Sequence, residues 1–304
     1  MSDERNFRTY YYEKFGISGV EEKKSLEILL KEQPLCVEKI RQFCLRFQVP
    51  SVYRCYLWKV VLGILPSNQE SHAFVMSQRK QKYEDLRNAV KVMRLVKSLE
   101  NVPQLYLKMF LLETGQLTFE EHNMETPENE AFKAMVDAVS CSTEDPVDVY
   151  WITVRFYKMF NRCTEGLNLM TDRVASCLKK EDTDGKLWNH FQTTNVWSSI
   201  PLNEWYICSF AGVLPDTSFE RIWDKIIGGS CTILVYVAVS VFLTFKRPLL
   251  SMKKKEDMLK YLSQLPEDSG DIIVTKALDL WHKHGGHLIQ TKSDSPVFTD
   301  RAPS

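Results

Sequence analysis

The sequence lacks a surplus of charge of either sign. Lys plus Arg and Asp plus Glu both total 39, so the formal net charge is zero. Nucleic acids and anionic membranes attract proteins that carry a positive field, and this chain as a whole has none. Binding to any partner must therefore depend on local groups of residues.

Paired cysteines and a secretory leader are also missing. None of the eight cysteines forms a Cys-x-x-Cys pair, which excludes the spacing of a zinc ribbon. The chain starts with Met1, Ser2 and Asp3 and has no apolar segment behind a basic start. We therefore expect free thiols and a cytoplasmic protein.

No apolar run is long enough for a membrane helix. The longest, 231–245, is bounded by glycines on one side and by Lys246 on the other, whereas a bilayer span needs about 20 residues. Its valines would suit a strand, but its length and Ser230 at the cap position favour a helix. The run is predicted to be a buried core helix.

The sequence has no motif for nucleotide or ester chemistry. Walker-type and dinucleotide-binding glycine loops are absent, and no serine lies in a Gly-x-Ser-x-Gly setting. His282, His284 and His287 are the one group with the composition of a metal site, but two glycines interrupt their helix. We predict a solvated helix end there, with no metal and no cofactor.

Helical spacing of apolar residues dominates the rest of the chain. It predicts an all-α fold with about a dozen or more helices and no sheet. We expect a flexible segment over 1–17, one domain over 18–290 and a disordered tail over 291–304. Helices are predicted over 20–31, 35–47, 51–63, 71–96, 104–114, 129–140, 146–160, 168–180, 185–192, 201–211, 217–227, 231–245, 252–264 and 270–283, with a loop over 115–128.

Two stretches carry a recognisable pattern of residues. A proline is followed by Arg four residues on, Trp four beyond that and Gly five later; a later Trp precedes an Arg-x-Trp-Asp motif. The residues are Pro50, Arg54, Trp58, Gly63, Trp205, Arg221, Trp223 and Asp224. This pattern resembles the TBC-domain family, which is Rab-GAP-like, although Gln48 stands where the family usually has Gly.

These signature residues are expected to have structural roles. Arg54 and Trp58 are spaced i, i+4, so they share a helix face, where the Arg can lie over the indole. Asp224 is expected to cap a helix or to pair with Arg221 or Arg54.

The resemblance also defines where catalysis would have to occur. TBC proteins that activate Rab GTPases supply an Arg within Ile-x-x-Asp-x-x-Arg and a Gln within Tyr-x-Gln. Here no Asp has Arg three residues later, and none of the twelve tyrosines has Gln two residues later. Arg79, Arg87 and Arg94 lie nearby; Arg87 and Arg94 are spaced i, i+7 on a polar helix face and are expected to be solvated. We predict no catalytic residues.

Residues 5–288 resemble one branch of the family, the TBC-domain subunit of the tuberous sclerosis complex. Among the matching stretches are Leu57-Trp58-Lys59, Tyr150-Trp151-Ile152-Thr153 and Asp279-Leu280-Trp281-His282. The resemblance implies binding to the coiled coil of hamartin. In that complex tuberin is the GTPase activator of Rheb, restrains mTOR signalling, and acts at lysosomal or vesicle membranes. An active Rab GTPase-activating protein and a non-catalytic Rab effector remain alternatives.

The segment 104–114 has apolar residues all round. Either it is a central core helix, or it offers an exposed groove to a partner helix through Tyr106, Met109, Phe110 and Leu112. We place the candidate partner site on these four residues.

Overall fold

The computed structural model describes residues 20–95, 101–118, 125–163, 167–215 and 218–285. Within these ranges the chain forms fifteen α-helices and no strand. In chain order they are α1 Val20–Leu29, α2 Val37–Arg46, α3 Ser51–Val61, α4 His72–Val92, α5 Val102–Glu113, α6 Pro127–Ser142, α7 Pro146–Cys163, α8 Leu167–Glu181, α9 Lys186–Thr193, α10 Leu202–Ile207, α11 Glu220–Ile227, α12 Ile233–Thr244, α13 Lys246–Ser251, α14 Lys255–Ser263 and α15 Gly270–Lys283.

Helix α12 lies at the centre of the C-terminal half. It packs against α8, α11, α13 and α15, and most of its side chains are buried. A segment covered on so many sides must satisfy its backbone groups internally, which a helix does and a single strand does not. The valine-rich run is therefore a helix, as its length predicts.

The N-terminal half is built around α5. Helices α4 and α6 pack against α5, α7 packs against α4 and α6, and α10 joins this group to α8. Helix α11 contacts α2, α3, α12 and α15, so it connects the start of the chain to its end. The buried apolar side chains form one core.

Backbone conformation explains where several helices stop. Gly63 adopts φ +70° just after α3, a left-handed conformation that glycine allows without the strain of a side chain. Helix α10 ends at Ile207, short of the predicted 211, because Ser209 and Phe210 have φ +53° and +62°. Non-glycine residues rarely take this conformation, so residue types alone do not predict this stop.

The all-α prediction is confirmed, with corrections at helix ends. Pro50 occupies the cap position of α3, and α4 ends at Val92, before the predicted 96. The short helix α13 was not predicted; Pro248 fits there because it lies in the first turn. The segments 1–17 and 291–304 lie outside the described residues and stay predictions. No helix among the described residues could span a bilayer.

Candidate functional site

A buried ion pair joins α3 to α11. Arg54 Nε lies 3.2 Å from both carboxylate oxygens of Asp224. Arg54 Nη1 contacts the carboxylate of Glu220, and Nη2 donates to the backbone oxygen of Val49 at 2.9 Å. Arg54 and Asp224 are 6% and 1% exposed, so the pair is shielded from water and its hydrogen bonds are charge-assisted. Sequence reasoning missed Glu220, although its i, i+4 spacing from Asp224 places both acids on one helix face.

Trp58 completes this arrangement, which we call the Arg54 cluster: Arg54, Trp58, Glu220 and Asp224. Trp58 Nε1 donates to Asp224 Oδ1 at 2.8 Å. Burial raises the pKa of Asp224 to about 6, while the charge of Arg54 and the hydrogen bond from Trp58 oppose the rise. The hydrogen bonds that Asp224 accepts from Arg54 and Trp58 stabilise its ionised form. Of the two partners that the sequence left open for Asp224, the structure selects Arg54.

The other signature tryptophans pack the surrounding helices together. Trp223 stacks on Phe156 of α7 with ring centroids 4.0 Å apart, and its Nε1 donates to the backbone oxygen of Ser209 at 3.1 Å. Trp205 packs on Phe242 of α12 at 6.0 Å. Both tryptophans are buried, and these contacts connect α7, α10, α11 and α12.

Arg221 differs from the other signature residues because it reaches the surface. Its side chain is 26% exposed, and Nη1 lies 3.4 Å from Thr275 Oγ1 and 4.0 Å from Asp271 Oδ1 on α15. These are long contacts, so Arg221 is only loosely held.

The candidate partner residues on α5 lie in the core. Tyr106, Met109 and Phe110 are at most 6% exposed, and Leu112 is half-buried. Phe110 stacks on Phe132 of α6 with centroids 4.9 Å apart. The expectation of an exposed groove on these side chains is wrong for the folded chain, because the surrounding helices cover them. The alternative of a central core helix describes α5 correctly.

Tyr106 allows a test of this core assignment. Its hydroxyl donates to the backbone oxygen of Pro146 at 3.0 Å and lies 3.2 Å from the hydroxyl of Tyr83. Tyr106→Phe should lower the free energy of unfolding by about 1–2 kcal/mol, because the buried hydroxyl of Tyr83 and the partly buried carbonyl of Pro146 both lose this partner. Urea denaturation followed by circular dichroism measures this difference.

Tyr53→Phe is the matched control for this prediction. Tyr53 OH donates to Glu27 at 3.0 Å between partly exposed side chains, so its loss should change stability by no more than about 0.5 kcal/mol. Equal losses in the two variants would contradict a buried role for the Tyr106 hydroxyl.

Comparison with known proteins decides the family. TBC1 domain family member 7 of Homo sapiens is 45% identical over 284 residues, which are 93% of this chain and 96% of that protein. The chain belongs to the TBC-domain family. The Danio rerio protein of the same name is 41% identical and covers 94% of this chain and 98% of its own length. A family profile, the Rab-GTPase-TBC domain, matches residues 122–250.

Solved structures show the same fold for this TBC domain. The Ypt/Rab-GAP domain of Gyp1p aligns with a TM-score of 0.58 at 15% identity, over 88% of this chain and 99% of that one. The Chlamydomonas flagellar RabGAP TBC domain aligns with a TM-score of 0.54 at 13% identity, over 90% and 93% of the two chains.

The arginines near α5 of this TBC domain differ in their surroundings. Arg79 lies over the ring of Trp151 at 4.7 Å and donates to the backbone oxygen of Ile64 at 3.2 Å, so it is part of the packing between α4 and α7. Arg87 is exposed, while Arg94 lies beyond the end of α4 with φ +57°. The expectation that Arg87 and Arg94 are solvated is confirmed, because both are exposed.

Two members of the histidine group, His282 and His284, lie among the described residues. His284 Nε2 lies 3.0 Å from Glu181 Oε1, and its ring stacks on Tyr236 at 5.5 Å. His282 is exposed, and His287 lies outside the described residues. Among the residues that the structure describes, no group of three or more potential ligands could hold a metal ion.

Proposed function

We propose that this chain is a non-catalytic TBC-domain subunit of a tuberous sclerosis complex. In this proposal it binds the coiled coil of hamartin and stabilises the complex. It thereby supports the activation of Rheb GTP hydrolysis by tuberin and the negative regulation of mTOR signalling. It is cytoplasmic and reaches lysosomal or vesicle membranes through the complex.

The observation that carries the proposal is the absence of both finger motifs from a chain of the TBC-domain family. An arginine finger contributes a factor of about 10³–10⁵ to the rate of GTP hydrolysis, so its loss removes nearly all activity. The similarity to TBC1 domain family member 7 extends over 93% of the chain, which supports a role shared along its whole length.

The surroundings of α5 support the same proposal. Catalytic side chains delivered in trans must project from the surface into another protein. Tyr106, Met109 and Phe110 instead project into the core and Arg79 is held against Trp151, which leaves Arg87 and Arg94 as the exposed arginines to be tested. A regulator that works by binding does not need such projecting groups. The proposal leaves the surface for the coiled coil unassigned, because the residues first considered for it are buried.

The absence of catalysis is tested by single-turnover GTP hydrolysis with Rheb and a panel of Rab proteins. We expect a stimulation below about tenfold, against the 10³–10⁵-fold effect of an arginine finger. A tuberin GTPase-activating domain acting on Rheb is the positive control. A stimulation of one Rab by a hundredfold or more, abolished by Arg87→Ala, would establish the active Rab-GAP alternative instead.

Partner binding needs a separate measurement. Titration of the full chain with a hamartin coiled-coil fragment by calorimetry should give saturable binding without any GTPase present. Binding to a GTP-loaded Rab but not to hamartin would favour the effector alternative. Fluorescently tagged protein in cells without hamartin should lose its lysosomal signal and remain in the cytoplasm.

A further inference from the structure

A pocket outside the Arg54 cluster lies between α11, α15 and the end of α2. Its volume is about 230 Å³. We call it the α11–α15 pocket, and the residues that matter for its chemistry are Arg46, Phe47, Arg221, Lys225, Leu278 and Asp279. It opens to solvent beside the exposed face of α15.

Lys225 is a buried cation in the wall of this pocket. It is 4% exposed, and its Nζ donates to the backbone oxygens of Cys44 and Phe47, both at 2.7 Å. These acceptors are neutral, and in the described part of the chain no carboxylate lies within 4.0 Å of Nζ. The neighbouring Asp224 already binds Arg54 and Trp58. Buried charges are usually paired with an opposite charge, whereas Lys225 has two carbonyl acceptors and the ring of Trp281, 5.8 Å from its Nζ.

Arg221 adds a second cation one helical turn before Lys225. Burial lowers the pKa of Lys225 to about 8; the charge of Asp224 opposes this change, and repulsion from Arg221 at i, i+4 adds a smaller effect in the same direction as burial. Arg221 Nε is buried and has no hydrogen-bond partner. A guanidinium carries five N–H donors, so Arg221 can bind an anion without breaking an internal hydrogen bond.

The remaining charges leave the pocket positive. Arg46 is exposed at its rim, and Asp279 is the one other acidic side chain in the wall. Asp224 is shared with Arg54, and Asp271 lies 4.0 Å from Arg221 on an exposed side chain, so neither carboxylate fully compensates the three cations Arg46, Arg221 and Lys225. An anion that reached Arg221 and Lys225 would remove their mutual repulsion.

The size and rim of the pocket restrict what that anion can be. Sites for small molecules usually have volumes of about 300–1,000 Å³, so this pocket suits a side chain better than a nucleotide. Phe47, which is 41% exposed, and Leu278, which is half-buried, give it an apolar edge. Ile272 is 60% exposed and lies about one turn before Thr275 on the same face of α15.

We propose that the α11–α15 pocket binds the carboxylate side chain of a partner polypeptide, with an adjacent apolar residue of the partner packing on Phe47 and Leu278. Arg221 is the principal donor, and Lys225 supplies a buried positive charge behind it. This site requires neither hamartin binding nor the absence of GTPase activation. Its test is therefore independent of the test of the proposed function.

Thermal unfolding of the full chain at pH 7 tests the anion. N-acetyl-L-glutamate at tens of millimolar should raise Tm by about 2 °C relative to N-acetyl-L-glutamine at matched ionic strength. Arg221→Gln should abolish the shift, whereas Arg247→Gln, at an exposed position on α13, should retain it. With methyl-labelled isoleucine and leucine, the NMR signals of Ile272 and Leu278 should move during the titration.

A second variant tests the site without any added ligand. Thr275 is exposed, and its Oγ1 lies 3.4 Å from Arg221 Nη1. In Thr275→Asp the new side chain itself places a carboxylate beside Arg221. This variant should have a Tm about 2 °C higher than the wild type and should no longer respond to N-acetyl-L-glutamate. Thr275→Asn is the uncharged control, which should keep the wild-type Tm and the response to N-acetyl-L-glutamate.

The apolar edge is tested with a dipeptide probe. N-acetyl-leucyl-glutamate amide should bind several-fold more tightly than N-acetyl-glutamate amide, because leucine can pack on Phe47. Equal affinities would overturn the polypeptide assignment. If inorganic phosphate raised Tm and N-acetyl-L-glutamate did not, the proposal of a carboxylate ligand would be wrong. It would also be wrong if N-acetyl-L-glutamate raised the Tm of Arg221→Gln as much as that of the wild type.

Discussion

Asp224→Asn is expected to lower the free energy of unfolding by about 3–5 kcal/mol, the cost of breaking a buried ion pair by removing one charge. The substitution keeps the size of the side chain but leaves Arg54, which is 6% exposed, without its buried counter-charge. Glu220 still contacts Arg54, and because its side chain is 24% exposed it can compensate only in part. Urea denaturation monitored by circular dichroism measures the loss.

The matched control for Asp224→Asn is Asp271→Asn. Asp271 lies 4.0 Å from Arg221, and its side chain is 82% exposed. Exposed pairs of this kind contribute about 0–1 kcal/mol, so the control should stay near wild-type stability. A loss in Asp224→Asn no larger than that of the control would contradict the role of the Arg54 cluster.

The other large effect is expected for Trp58→Ala, at about 3–5 kcal/mol, as for other large-to-small core substitutions. Trp58 is fully buried, and its ring lies 6.1 Å from that of Trp223. The loss should come from the cavity and from the missing hydrogen bond to Asp224. Partner binding per folded molecule should not change, because the side chain does not reach the surface.

Trp58→Phe separates the two causes. Phenylalanine retains most of the buried volume but has no N–H for Asp224, so we expect a loss of about 1–3 kcal/mol. Trp188→Ala is the control, since Trp188 is only partly buried and should cost less. A Trp58→Ala protein that melts at the wild-type temperature yet fails to bind its partner would reverse the assignment and make Trp58 a contact residue.

The helices could be predicted from sequence wherever apolar spacing and stop signals agree. For the run 231–245 the valines would suit a strand, but its length favoured a helix, and the structure has helix α12 there. The end of α10 could not be predicted, because Ser209 and Phe210 adopt a conformation that their types do not favour. Helix α13 was missed because its six residues are too few to show a period.

The candidate site was predictable in its composition but not in its pairing. The signature pattern placed Arg54 and Asp224 in the right motifs, yet sequence alone could not choose between Arg54 and Arg221 as the partner of Asp224. That choice depends on how α3 and α11 cross. The burial of α5 was equally hard to predict. Its sequence shows that all its sides are apolar, but only the positions of the neighbouring helices show that these sides are covered.

The Arg54–Asp224 contact joins residues 170 positions apart. During translation Arg54 is therefore made well before its partner, by roughly 10–30 s at synthesis rates of about 5–20 residues per second. Throughout that interval the nascent chain carries α3 with an unpaired arginine and an uncovered tryptophan, which are features that chaperones bind. A premature stop codon after α3 and before residue 220 would leave the truncated chain permanently in that condition. Such truncated products should be degraded rather than retain partial function.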